Sequence, residues 1–203
     1  MAIKSLSCNV AIIPPSEVSK RAVTISKKLE QYGTYFTLDG KKYYPHITLY
    51  MTEFPSKNIE RIKKLLHSIV ESTLQFQIVS REIRQLNNDG FVDVAFEKNT
   101  EVGNLQKRII GKLNPLREGL LRKKDLTMFN TFSHLEQRNL TAYGYKDVSE
   151  SYIPHLTFTR FPKLKNIILK NENCTFTVKN IGLFQSGNHG TCNRLIADFR
   201  LKS

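Results

Sequence analysis

The sequence predicts an α+β fold of two lobes sharing one cleft, within a single domain spanning residues 1–203. Three observations carry that reading. A Pro-His-apolar-Thr strand occurs twice, in "YYPHITLYM" around His46 and in "IPHLTFT" around His155, 109 residues apart (46 to 155). Strands and helices alternate so that each half sets one such strand beside helices, a weak internal duplication. No Pro/Ser-rich linker separates the halves.

Each element follows from local pattern. Leu6–Ile13 is a continuous apolar run that reads as a buried strand, ended by Pro14-Pro15. Ser16 is placed as the N-cap of a helix reaching about Tyr32, with Val18, Ala22, Ile25 and Leu29 on one face and Gly33 as its stop. Thr34–Leu38 reads as a short strand before the turn at Asp39-Gly40, and "YPHITLYM" as the next strand. A second amphipathic helix opens at Pro55-Ser56, its stripe formed by Ile59, Ile62, Leu66, Ile69 and Val70. Phe76–Ile83 and Phe91–Phe96 alternate with period two around "QLNNDG", a hairpin pattern. Val102, Leu105, Ile109 and Leu113 mark a third helix running up to Pro115. Residues 117–150 are polar and loop-rich, with a short helix near His134–Leu140, and read as an insertion or lid. After "YIPHLTFT", two or three further strands lie in Cys174–Ser186 and Asn193–Leu201, turning at "SGNHG".

Composition narrows the function classes. Apolar content of 40% and charged content of 24% are globular values, and no apolar run approaches the roughly 20 residues needed to span a bilayer. Cys8, Cys174 and Cys192 show no CxxC spacing and read as reduced core thiols of a cytoplasmic protein. The formal charge of +13 favours encounter with polyanions, which makes phosphate-bearing partners plausible, while composition alone favours a basic but unspecialised surface.

On a strand, His46, Thr48 and Tyr50 share one face, as do His155, Thr157 and Thr159, while Ile47, Leu49, Leu156 and Phe158 face the other way. A third His-x-Thr, His189/Thr191 in "GNHGTC", lacks apolar alternation and is a turn. His67 lies on the polar face of a helix and His134 in the insertion, neither with partners at catalytic spacing. Burying two imidazoles beside two hydroxyls costs desolvation without a gain in packing, so the pair points to a use. One neutral imidazole and one imidazolium can serve as base and acid in displacement at phosphorus. The two threonine hydroxyls can donate to the oxygens that gather charge. Neither motif carries acidic residues or a second histidine at ligand spacing, so no metal site and no cofactor is expected.

"PHITLYM" and "PHLTFTR" resemble the paired His-x-Thr/Ser signatures of the 2H phosphoesterase superfamily, which includes bacterial 2′-5′ RNA ligases and cyclic phosphodiesterases. The likeness extends in order and spacing over most of the chain. The run "LEQRNLTAYGYKDVSESYIPHLTFTR" is similar to a branch with Gly-Tyr ahead of the second motif. The resemblance implies a bilobal pseudo-twofold fold, with two antiparallel sheets flanking a central cleft and helices outside. It implies hydrolysis of a 2′,3′-cyclic phosphate or a 2′-5′ phosphodiester in RNA or oligonucleotides, or the reverse ligation. It makes His46 and His155 the catalytic pair and Thr48 and Thr157 the phosphate contacts. Tyr44, Tyr50, Thr159 and Arg160 are further candidates for substrate contact, although parity sets Arg160 opposite the histidine. The expected protein is a monomer with an RNA or nucleotide substrate and no membrane. Two alternatives stay open: an enzyme degrading a cyclic or 2′-5′ oligonucleotide signal, and a non-catalytic nucleotide-binding module.

Overall fold

The apolar run at the N-terminus forms β1 (Ser5–Ile13), whose Cys8, Val10, Ala11 and Ile12 are fully buried. A strand buried on both faces must be paired on both edges, and β1 lies between β2 (Ile47–Pro55) and β7 (Asn180–Ser186), antiparallel to each. The computed structural model describes residues 4–86, 90–163, 167, 169 and 174–203.

The other strands are β3 (Phe76–Gln85), β4 (Phe91–Phe96), β5 (His155–Arg160), β6 (Thr175–Val178) and β8 (Cys192–Arg200). They form one antiparallel, eight-stranded sheet in the order β6-β3-β4-β5-β2-β1-β7-β8. The expected two sheets are thus two four-stranded halves, joined where Ile47 of β2 pairs with Leu156 of β5. The sheet must curl, because β6 and β7 stand far apart in that order yet only Lys179 separates them in sequence. At the end of β8, Lys202 pairs in parallel with Leu74 and exchanges main-chain bonds with Thr73 and Gln75, bringing the far edges together.

Helices α1 (Ser16–Glu30), α2 (Ile59–Glu71) and α3 (Thr100–Leu113) present their apolar stripes to the sheet. Helix α1 lies against β5, α3 against β2, and α2 against β8 and α3. Their buried residues Ala22, Leu29, Ile62, Leu66, Leu105 and Ile109 join one core with Ile47, Leu49 and Leu156. Two short helices follow, α4 (Lys123–Thr127) and α5 (His134–Tyr143). A capping box closes the start of α5, where Ser133 and Glu136 satisfy each other's main-chain N–H groups. No helix among the described residues is long and apolar enough to cross a membrane.

Several local expectations change. Ser16 is the first residue of α1 rather than its cap, because Pro15 takes the capping position in an extended conformation. The helix ends at Glu30, ahead of Gly33 at φ 78°. Thr34–Leu38 is not a strand: a main-chain bond from Tyr35 N–H to the Arg160 carbonyl (2.9 Å) joins it to β5, and side chains satisfy the main-chain groups that follow. Leu38 N–H donates to Ser26 Oγ (2.8 Å), and the Phe36 carbonyl accepts from Thr159 Oγ1 (2.6 Å). Ser56–Asn58 is a 3₁₀ turn before α2. Part of the "QLNNDG" turn, residues 87–89, lies outside the described residues.

Candidate active site

The seam between the two halves positions both motifs. With Ile47 opposite Leu156 in an antiparallel pair, one step either way sets His46 opposite Thr157 and Thr48 opposite His155. All four side chains share one face, with cross-strand neighbours roughly 5 Å apart at Cβ. Ile47 and Leu156 point the other way into the helix-covered core. His46, His155 and Thr157 are half-buried, and Thr48 is 9% exposed.

Each histidine is held the same way. His46 Nδ1 lies 2.8 Å from the Tyr44 carbonyl and His155 Nδ1 lies 2.8 Å from the Ile153 carbonyl, each two residues upstream. A carbonyl can only accept, so Nδ1 carries a proton and Nε2 is left for chemistry. Burial pushes the His46 ring down to about 4, and repulsion from His155 adds to this, while the main-chain groups of Tyr44 and Gly190 pull the other way.

Alternation of faces ends just past each motif. Ala11 and Val10 face Thr48 and Tyr50, leaving Leu49 as an extra residue; Asp93 and Val92 face Thr157 and Thr159, leaving Phe158 extra. These matched bulges overturn the parity argument for three candidates. Tyr50 is fully buried: its hydroxyl donates to the Tyr143 carbonyl (2.6 Å), and its ring meets Phe54 and Tyr145 edge-on. Thr159 is likewise fully buried and spends its hydroxyl on Phe36. Neither is open to substrate. Arg160 turns to the cleft side instead. Its guanidinium sits between the rings of Phe91 (4.7 Å) and Tyr35 (5.7 Å) and donates to His189 Nδ1 (3.0 Å). The side chain of Tyr44 packs on Phe184 (5.4 Å), so this residue's link to the site is its carbonyl on His46.

Other residues at the site escape a motif-based reading. His189 does occupy a turn, at φ 57°, yet that turn stands at the cleft, since its neighbour Gly190 lies by the His46 ring. Its ring stacks on Tyr35 (4.3 Å, 13°). Burial, Arg160 and Lys124 together hold the ring below the usual histidine range, and Nδ1 faces the Arg160 guanidinium as its acceptor. Beside Thr157, the buried Asp93 is clasped by Arg84 through two bonds of 2.8 and 3.0 Å. In the other half, fully buried Asn9 donates from Nδ2 to Thr48 Oγ1 (2.9 Å). A lone amide inside the apolar run "LSCNVAII" is the available signal for Asn9.

Segment 117–150 is built into the body. Leu140, Tyr145 and Val148 are buried, and Gly144 at φ 69° leaves no room for a Cβ against Thr52 Oγ1 and Arg117 Cδ. Gln106 of α3 ties it to the bulge of β2, donating to both the Leu49 and Asp147 carbonyls (3.1 and 2.9 Å). Its α4 end bears on the cleft turn through the charge of Lys124, which acts on His189. No three His, Cys, Asp or Glu side chains gather to hold a metal ion among the described residues.

A curled antiparallel sheet with paired histidines at its seam defines the class of 2H phosphoesterases. The chain belongs to the 2′-5′ RNA ligase superfamily, whose family model matches residues 14–190. The fold is similar to that of TT0787 of Thermus thermophilus, with TM-score 0.61 and 16% identity over 97% of this chain and 98% of that one. E. coli LigT is alike too. Its apo form gives TM-score 0.60 at 13% identity, covering 98% and 99% of the two chains. Its complex with 3′-AMP gives 0.61 at 15%, covering 98% and 100%. Among curated protein sequences none matches the chain significantly.

Proposed function

We propose that the protein is a metal-independent phosphoesterase that opens a 2′,3′-cyclic phosphate or 2′-5′ phosphodiester in RNA or an oligonucleotide. The observation that carries this reading is the mirrored pair of histidines, each with Nδ1 on the carbonyl two residues before it, meeting at Ile47–Leu156. A phosphate above the seam lies within reach of two Nε2 atoms and two threonine hydroxyls. His46, held neutral by burial, takes the proton of the attacking water as the new P–O bond forms. As the bond to the departing ribose oxygen breaks, His155 in its imidazolium form delivers a proton to that oxygen. Thr48 and Thr157 donate to the non-bridging oxygens, and Arg160 adds positive charge beside them. With a ribose hydroxyl in place of water as the attacking group, the same groups join it to a 2′,3′-cyclic phosphate. His46 takes the hydroxyl proton as the new P–O bond forms, and His155 protonates the ring oxygen as its bond to phosphorus breaks.

The net charge of +13 supports a polyanionic substrate, and the LigT structures with 3′-AMP and ATP support nucleotide as its chemistry. The test is turnover, with chelator present, of 2′,3′-cyclic nucleotides and of 2′-5′- and 3′-5′-linked oligomers. Opening of a 2′ substrate alone supports the reading. Binding of all three without turnover makes the protein a nucleotide-binding module, and activity that depends on added divalent metal refutes the two-histidine mechanism.

A further inference from the structure

The two threonines of the seam are not held alike, and the difference lies in a residue outside both motifs. Asn9 sits on β1 two residues before Ala11, the cross-strand partner of Thr48, so its side chain shares the cleft-side face with Ala11 and reaches Thr48 diagonally. It is fully buried; Nδ2 donates to Thr48 Oγ1 (2.9 Å), the side chain also meets the Cys192 thiol, and Oδ1 has no partner among the described residues. Thr48 is pinned from the main chain as well, by Tyr152 Oη donating to its carbonyl (3.1 Å). In the second half the place of Asn9 is taken by Phe91: Asn9 faces Met51, three residues past Thr48, and Phe91 faces Arg160, three past Thr157. Phe91 has no amide to offer and packs on Arg160.

A buried amide with an unmade acceptor bond is costly to keep, so its retention inside an apolar strand calls for a compensating role. A hydroxyl has one proton and two lone pairs. With Asn9 filling a lone pair, the Thr48 proton is free to point at the cleft, where a phosphate oxygen needs a donor. We infer that Asn9 is a positioning residue, fixing Thr48 as a hydrogen-bond donor to the transferring phosphoryl group and so making the His46 half of the site the pre-aligned one. This rests on the phosphoesterase reading above. Because charge on the non-bridging oxygens grows toward the transition state, the effect falls on kcat rather than KM.

The test is a double-mutant cycle of Asn9→Leu and Thr48→Ala, read by turnover of a 2′,3′-cyclic nucleotide and by the Kd for inorganic phosphate. Leucine matches asparagine in branching and heavy-atom count and removes the unpaired Oδ1, so Asn9→Leu is expected to stay folded with a melting temperature near that of the wild type, with the smaller Asn9→Ala as a second variant. Asn9→Leu is expected to lower kcat about tenfold, the scale of one well-aimed hydrogen bond, with KM little changed. In the Thr48→Ala background it should cost nothing further. Losses that multiply, or a kcat that stays level or rises because Thr48 had been donating to Asn9, overturn the inference. Absence of wild-type turnover refutes the proposed activity by itself. The cycle read by the Kd for inorganic phosphate, whose oxygens carry more charge than those of a phosphodiester, then decides. A loss in Asn9→Leu that disappears in the Thr48→Ala background supports the inference, and an additive or absent loss overturns it. A wild type that neither turns over nor binds phosphate overturns both.

Discussion

Ile47 pairs with Leu156 at the seam of the sheet, and that single register pair sets each motif histidine opposite the other motif's threonine. Two apolar residues thereby fix the site's geometry from beneath. They anchor in the core while their neighbours on either side turn to the cleft.

Arg160 is expected to matter for binding more than for folding. Its guanidinium stands on the cleft side between Phe91 and Tyr35. Arg160→Met keeps an unbranched side chain against the rings and removes the charge. We expect the Kd for inorganic phosphate or 3′-AMP to rise at least tenfold, about 1.4 kcal/mol, the low end for a charged hydrogen bond. Titration calorimetry at fixed ionic strength measures it; an unchanged Kd would remove Arg160 from the site.

Stability should depend on pH through His46. Burial lowers the ring from 6.5 to about 4 in the fold, so between those values the unfolded chain binds a proton that the folded one does not. The contribution is fully present above pH 6.5 and is lost as pH falls toward 4. The urea midpoint of the wild type is therefore expected to drop between about pH 7 and pH 5. Part of that drop should vanish in His46→Ala, and an equal drop in both proteins would argue against a neutral buried ring.

Gly144 holds the segment before β5 against β2. Its φ of 69° and the closeness of Thr52 Oγ1 and Arg117 Cδ leave no place for a methyl group. Gly144→Ala is expected to cost about 1–3 kcal/mol by chemical denaturation. A loss below about 0.5 kcal/mol would mean that the segment is only loosely attached.

Much of the fold is legible from residues alone. The two motif strands, the amphipathic helices and the Phe91–Phe96 strand follow from periodicity, because a buried face demands apolar residues at fixed spacing. What escapes depends on events that periodicity does not encode. One extra residue at Leu49 and another at Phe158 reverse the faces beyond each motif, taking Tyr50 and Thr159 into the core and turning Arg160 outward. Thr34–Leu38 reads as a strand through its alternating Phe36 and Leu38, but past the Tyr35 bond to Arg160 the Ser26 and Thr159 side chains take the place of a ladder. His189 is a turn residue, as its sequence context implies; only tertiary packing brings that turn to His46. The join of the halves rests on a pairing between residues distant in sequence, Ile47 with Leu156, and the approach of the far edges on another, Leu74 with Lys202.

The central claim is that two histidines, one from each half, share a proton-transfer reaction at one phosphate. It is tested most directly by the rate of 2′,3′-cyclic nucleotide opening in wild type, His46→Ala and His155→Ala, with chelator present. The account predicts metal-free turnover in the wild type and a loss of about 10²–10⁴-fold in each variant, with folding intact. Turnover near the wild-type rate in either variant, or turnover that appears only on adding a divalent metal, would contradict it.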